Sequence, residues 1–415
     1  MCGPDTLDPV PDPHPTRPSE RPPARAVVPL YAAGFTTAFG AHSVAAGLGA
    51  EIGRVGLNLL SLGVLLALYD LAEVVLKPLF GSLSDRIGPK PVVVGGLLAF
   101  ALASLVGAGV QAPWALAVAR LGQGAAASAF SPASSASVAR LAGPLTGRYF
   151  GRYGSWKGLG YAIGPLLGAA ALFVGGFPVL FGVLAALGVG VAVWAALAMP
   201  RLDPLPRPRY TLADLARQLG GRSFLGPTIV LAASTGSLGA AVGFIPALAA
   251  HIGLPTAAAV AAVTVLALAS SLLQPRIGRL RDDGRLADRP GILAGLGAVV
   301  LGAAAAAAVP SAPEPLGAVV VYLAALLIGA GIGTVTPLAF AHLADATPAE
   351  RMGRTMGSAE LGREAGDAGG PLLVGAVAVG AGLGWGLAAL AAVVALAGLA
   401  VPRSHEPRPS GGPGS

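Results

Sequence analysis

Seven ionisable side chains stand in the middle of apolar sequence. Asp70, Glu73 and Lys77 are spaced i, i+3, i+7, and Glu360, Arg363, Glu364 and Asp367 form a second group. On a helix each group falls along one stripe. An ionisable group inside a bilayer costs about 3 kcal/mol or more and normally faces a partner or a cavity. Neither stripe can therefore face lipid. Carboxylates and cations held in such a place can pair across a seam, and an acid left without a cation can take up and release a proton.

Four further polar side chains lie within apolar sequence. Arg120, with Gln123 one turn on, brings a guanidinium that stays charged and offers five donors. It can hold a carboxylate-bearing substrate or tune a proton-carrying acid, or else reach to the outer membrane surface. Lys157 either sits in an apolar site and gives up its proton or reaches the nearby cytoplasmic surface. His42 is either a group that titrates near neutral pH or a hydrogen-bonded packing residue. Tyr31, Phe35, Phe39, Tyr69, Phe244 and Tyr322 are candidates to line a cavity. The sequence holds no H-E-x-x-H, G-x-S-x-G or nucleotide loop. Cys2 is the only cysteine, so there is neither a disulfide framework nor a Cys-based metal site. Enzymatic chemistry, a metal and a cofactor are not expected.

Membrane helices must position these groups. The 415 residues are 54% hydrophobic and 11% charged, with 61 glycines, whereas soluble domains carry about 25% charged residues. A helix crosses the bilayer with about 20 apolar residues. Twelve runs fit: 27–49, 57–80, 91–110, 114–138, 151–174, 177–199, 224–250, 255–274, 291–309, 315–343, 352–379 and 383–401. Of the 27 basic residues, Lys77, Arg120, Lys157 and Arg363 lie well inside these runs, Arg152 and Arg354 lie at the cytoplasmic ends of two of them, and Arg54 alone lies outside if the N-terminus is cytoplasmic. The rest then fall in cytoplasmic segments, as the positive-inside rule requires. The net charge of +7 is thereby spread over short loops rather than gathered on one soluble face, which excludes a nucleic-acid surface.

The segment 200–223 turns to Pro and Arg and contains a short amphipathic stretch, with Leu212, Leu215, Ala216 and Leu219 at helical spacing. It is a cytoplasmic linker between two six-helix bundles, 27–199 and 224–401. Residues 1–26 and 402–415 read as disordered cytoplasmic tails. The bundles share repeats. Gly81-Ser82-Leu83-Ser84-Asp85-Arg86, read as a turn, returns as Gly278-Arg279-Leu280-Arg281-Asp282-Asp283, each after a Pro (Pro78, Pro275). Gly160–Leu167 returns as Gly366–Leu373, and Ser131-Pro132 as Thr336-Pro337. The second copy of the turn keeps an acid but loses the ordered Asp-Arg pair, so the two halves are expected to latch unequally.

With these residues the chain resembles the major facilitator superfamily from Val27 to Val401. Gly81, Leu83, Asp85, Arg86 and Gly88 resemble its G-x-L-x-D-R-x-G loop, with Pro89 where a basic residue is usual and Lys90 next. Arg120, Gln123 and Gly124 resemble its R-x-x-Q-G pattern. Gly160, Gly164, Pro165 and Gly168 resemble a helix-five pattern associated with its drug/proton antiporter branches, with Ala169 where the commonest form has a last glycine. The glycines of that pattern also suit close packing, and Pro165 a kink.

The resemblance implies an all-α integral membrane protein of twelve transmembrane helices in two pseudo-symmetric bundles. In that fold helices two and eleven meet, so cross-seam pairs Asp70–Arg363 and Lys77–Glu360 are expected to close the cytoplasmic side. Asp85 is expected to accept hydrogen bonds from a helix N-terminus beneath them. Glu73, Glu364 and Asp367 remain as proton-exchange candidates. The implied function is secondary transport by alternating access: proton-driven export of a small organic compound or drug, or proton-coupled import of a metabolite or organic anion. The implied setting is a monomer in the cell membrane, with both termini cytoplasmic. Its partners are lipid, protons and a small molecule, and the proton gradient is the only driving force.

Overall fold

The computed structural model describes residues 24–50, 59–109, 112–202, 204, 222–313 and 316–401. The described elements are helical. They run α1 Ala24–Ala50, α2 Leu59–Ile87, α3 Pro89–Gly109 and α4 Pro113–Ala142. A helical trace Thr146–Ala198 follows, broken at Gly175 and Gly176, where Gly176 takes a φ of 69° that side chains disfavour. The break makes α5 (146–174) and α6 (177–198). The second half comprises α7 Arg222–His251, α8 Thr256–Asp282, α9 Asp288–Ala308, α10 Leu316–Asp345, α11 Met352–Ala381 and α12 Leu383–Ala397. Seven stretches of described helix are long and apolar enough to cross a membrane by composition alone; α2 and α11, which carry the charged stripes, are not among them. The tails 1–26 and 402–415, beyond Ala24–Ala26, lie outside the described residues, as does the amphipathic part of the 200–223 linker.

The two halves pack alike. In the first, α1 lies on α5, α4 on α2 and α3, and α3 on α6; in the second, α7 lies on α11, α10 on α8 and α9, and α9 on α12. Between the halves, α2 meets α11 and α5 meets α8. Lipid tails are as apolar as leucine, so helices associate here through close packing of small residues and interhelical hydrogen bonds. Both inter-half seams show it at their basic ends. A Cβ on Gly81 would stand 2.7 Å from the Gly353 carbonyl oxygen, and one on Gly353 would stand 2.6 Å from that of Gly81. Gly278 and Gly147 oppose each other in the same way.

The segment Gly81–Ile87 is helix rather than turn, and only Gly88, at φ 87°, breaks the chain before Pro89 opens α3. Likewise α8 runs on to Asp282, and the turn falls on the residues after it. Apolarity measures the bilayer, about 30 Å thick, not the helix. At 29 residues, α2 is about 44 Å long, so its charged last two turns project beyond the slab.

Candidate transport site and gate

At the basic end each seam is closed by a carboxylate gripping a helix N-terminus. The first turn of a helix has amides without intrahelical partners and a dipole that favours an anion. Asp85 at the end of α2 accepts from Gly353 N at 3.0 Å and Arg354 N at 3.2 Å, the opening amides of α11. Asp282 at the end of α8 accepts from Gly147 N at 2.9 Å and Arg148 N at 2.7 Å, the opening amides of α5. The second copy is thus a full latch too, although it has lost the ordered Asp-Arg pair. It carries extra ties. Arg148 pairs with Asp283. Arg281 spans Thr146 Oγ1 at 2.8 Å, Asp288 at 2.7 Å and Asp345 at 2.6 Å. Thr146 in turn donates to Asp345, and His342 stands 3.1 Å from Asp288. Arg86 is exposed. Lys90 donates to the Met199 carbonyl at 2.6 Å, satisfying the end of α6.

Above the first latch the two charged stripes meet. Lys77, fully buried, lies 2.6 Å from Glu73 Oε1, 3.0 Å from Glu364 Oε1 and 3.9 Å from Glu360 Oε2. Lys157 from α5 lies 2.9 Å from Glu360 Oε2. Arg363 reaches Glu360 at 3.3 Å, Glu364 at 3.1 Å and the Tyr161 hydroxyl at 3.1 Å. Three cations thus meet three carboxylates in one network joining α2, α5 and α11. A buried charge is tolerable only when so matched.

This geometry overturns one expected pair: Arg363 does not meet Asp70, because Glu360 and Glu364 on its own helix hold it. The other, Lys77–Glu360, is present at 3.9 Å, although Lys77 stands closer to Glu73 and Glu364. Of the three proton-exchange candidates, Glu73 and Glu364 each have a cation, and Asp367 does not share in the network. Lys157 takes the inner of the two places open to it, against Glu360. Asp70 and Asp367 are left over: each lies three residues farther from the latch than Glu73 and Glu364, and neither forms an ion pair within the network among the described residues. Asp70 is exposed and Asp367 half-buried.

Among the described residues, the hydrogen bonds that cross between halves run from the latches up to Tyr161 and Arg363. The basic end is sealed. Beside this network, a cavity of about 40 Å³ lies between α5, α7, α8, α10 and α11, with Phe150, Tyr153, Lys157, Gln274, Phe340 and Glu360 in its wall.

The sequence matches the Major Facilitator Superfamily over residues 30–371 and again over 228–414. The chain belongs to that superfamily. It is a multi-pass membrane protein of a family of transporters rather than enzymes. Curated relatives include multidrug resistance protein MdtG of Enterobacter lignolyticus, 31% identical over 140 residues, 34% of each chain. MdtG of Citrobacter koseri is 34% identical over 152 residues, 36% of each chain. The chain thus spans about a third of the length of these relatives. Among solved structures, the human organic anion transporter MFSD10 (TETRAN) superposes with a TM-score of 0.75 at 18% identity, covering 92% of this chain and all of that one. That likeness establishes the fold alone.

The remaining superfamily motifs sit inside the first half. Gly160, Gly164 and Gly168 pack against α1 at Phe35–Phe39, His42 and Ser43, and α5 continues unbroken through Pro165. Arg120 is 2% exposed and lies 4.3 Å over the Tyr69 ring. Its one hydrogen bond among the described residues, 3.3 Å to Gln123 Oε1, is fixed in turn by Gln123 Nε2 donating to Ser104 at 2.9 Å. Its Nε has no partner. His42 bonds the Ala38 carbonyl at 3.0 Å and stands edge-on to Tyr161, 4.3 Å between centroids. Of the aromatic candidates, Tyr69 carries Arg120, and Tyr322 is spent on the Ala258 carbonyl. The cavity's aromatic walls are Phe150, Tyr153, Tyr161 and Phe340 instead. Tyr161 and Asp282 were the functional positions hardest to see. The residue Tyr161 lay inside the quoted glycine repeat, and Asp282 inside the quoted copy of the Gly81 segment. Among the described residues no cluster suited to a metal ion occurs.

Proposed function

We propose that this protein is a proton-coupled exporter of small organic compounds, acting as a monomer in the cell membrane with both termini in the cytoplasm. The observation that carries the reading is the charge match between the halves. Three buried cations take up three carboxylates, and Asp70 and Asp367 remain beside them without an ion pair among the described residues. An acid with no counter-charge binds and releases a proton more readily than one locked in an ion pair. A proton on Asp70 or Asp367 changes the charge at the top of the seam, and so biases one arrangement of the halves against the other. The basic end, sealed by both latches, is then the cytoplasmic side, and the structure is the state from which substrate leaves outward. The MdtG relatives, named for multidrug resistance, support export of a drug-like compound. Each charge carried across 100 mV supplies about 2.3 kcal/mol.

Proteoliposomes with an imposed pH gradient test this. Asp70→Asn and Asp367→Asn are expected to uncouple or abolish proton-linked flux of a compound panel, whereas the Pro165→Ala protein keeps it. Full coupling in both Asn proteins overturns the proton role.

Arg120 favours a second reading, proton-coupled uptake of an organic anion. Among the described residues its guanidinium forms no ion pair and its Nε has no hydrogen-bond partner, and the structural neighbour MFSD10 is titled an organic anion transporter. Flux of benzoate that is lost in Arg120→Gln and retained by wild type at equal pH gradient supports that reading; benzoate that never moves removes it.

A further inference from the structure

The outward stripe of α8 runs from leucine into arginine. Leu268, Leu272, Arg276 and Arg279 stand at i, i+4, i+8 and i+11, on one face of the helix, and all four are exposed. The opposite face turns Ser271, Gln274 and Gly278 into the bundle. Arg276 donates to the Leu272 carbonyl at 3.2 Å and Arg279 to the Pro275 carbonyl at 3.3 Å, both on their own helix. Those carbonyls bring no counter-charge. Among the described residues neither arginine forms an ion pair, and Asp283, one turn beyond Arg279, is taken by Arg148. The first half has no such pair. Placing Gly278 on Gly81 puts Leu268 on Leu71, Leu272 on Val75, Arg276 on Leu79 and Arg279 on Ser82. Leu71, Val75 and Leu79 are exposed as well, so α2 presents apolar side chains to lipid down to the depth of Arg276. Beyond Leu79 that helix projects past the slab. Arg276 and Arg279 therefore straddle the edge of the hydrocarbon.

We propose that Arg276 and Arg279 form a docking site for the headgroup of an anionic phospholipid, with an acyl chain lying along Leu272 and Leu268. A charge at the hydrocarbon edge is costly unless it meets a partner, and lipid phosphate is the anion at that level. The planar guanidinium fork suits phosphate oxygens. An anionic lipid is favoured over a zwitterionic one, whose own ammonium offsets the phosphate charge. The proposal rests on the membrane fold and is independent of proton coupling and of the transported compound.

Native mass spectrometry of the full chain, in detergent with equal phosphatidylglycerol and phosphatidylcholine, tests this. Wild type is expected to retain phosphatidylglycerol in preference. An arginine near an anionic surface is worth about fivefold in binding. The Arg276→Leu/Arg279→Ser protein, which takes the residues of the first half, is therefore expected to lose ~5–30-fold of that preference. Arg285→Ser/Arg289→Ser removes the same charge from exposed positions outside α8 and is expected to leave the preference unchanged. The readout is a ratio of two lipids on one protein, so it does not depend on yield. A wild type that retains both lipids equally overturns the proposal, whatever the variants do. An equal fall in both double variants also overturns it, since net charge would then suffice. So does displacement of the lipid by inorganic phosphate at equal concentration, since no acyl chain would then be held.

Discussion

The α2/α11 and α5/α8 seams share one ending and differ in the middle. Placing Gly81 on Gly278 and Gly353 on Gly147 puts Asp85 on Asp282, and both acids grip the amides that open the opposite helix. One turn deeper the copies part. Lys77 corresponds to Gln274, Glu73 to Ser270 and Asp70 to Ala267. Glu360 corresponds to Gly154, Glu364 to Gly158 and Asp367 to Tyr161. Lys157 and Arg363 occupy matching places, yet both serve Glu360. Duplication kept the latch twice and concentrated the buried charge in one seam. The α5/α8 seam, closed by glycine, serine and glutamine, is suited to holding the halves together; the α2/α11 seam is suited to responding to a change of charge.

The comparison breaks most sharply at the matched pair Lys77 and Gln274. Lys77→Met leaves a buried carboxylate uncompensated and is expected to cost about 3–5 kcal/mol, read as a large fall in melting temperature. Acidification to pH 5 should restore part of it, since a bound proton removes the excess negative charge. Gln274→Met removes only neutral hydrogen bonds and is expected to cost about 1 kcal/mol. Equal losses would erase the distinction between the seams.

Next in size are the crossings. Gly353→Leu and Gly147→Leu each drive a side chain into a facing backbone, an overpacking that costs about 1–3 kcal/mol. Both are expected to shift the transporter toward the state open at the basic end, measured by distance distributions between spin labels across each seam. The smallest effects belong to the latches. Asp85→Asn and Asp282→Asn keep an acceptor but lose the charge at a helix N-terminus, worth about 0.3–1 kcal/mol. Each is expected to open its own seam only slightly, read by the same distance distributions, and an opening as large as that of the glycine substitutions would rank the latches with the crossings.

Much of this was legible in the sequence. The twelve apolar runs place the helices to within a few residues at their outer ends, because burial in lipid needs little beyond apolar length. The stripes were legible because intramembrane charge must face inward, and Asp85 because a helix N-terminus attracts an acid. The partner of each charge was not. Lys77 has a flexible four-carbon stem that climbs to Glu73 and Glu364 instead of reaching straight across, and spacing along α2 carries no record of that. Asp282 was undervalued by the loss of the neighbouring arginine, although the working parts of the latch are a carboxylate and two opposed glycines. The continuous helix through Gly81–Ile87 was hidden because charged residues mark the edge of lipid, not the end of hydrogen bonding.

Both latches make their shortest contacts to backbone amides; the nearest cations at Asp282, Arg281 and Arg148, stand farther off at 3.7 Å and 3.8 Å. Mobile ions screen exposed charge pairs within about a Debye length, but an amide held against a part-buried carboxylate carries no net charge to screen. The hold at Asp85 and Asp282 is therefore screened less than the exposed Arg148–Asp283 pair, which weakens first in concentrated salt. Concentrated salt at the basic end would loosen the outer bolt of one door before it loosened either latch.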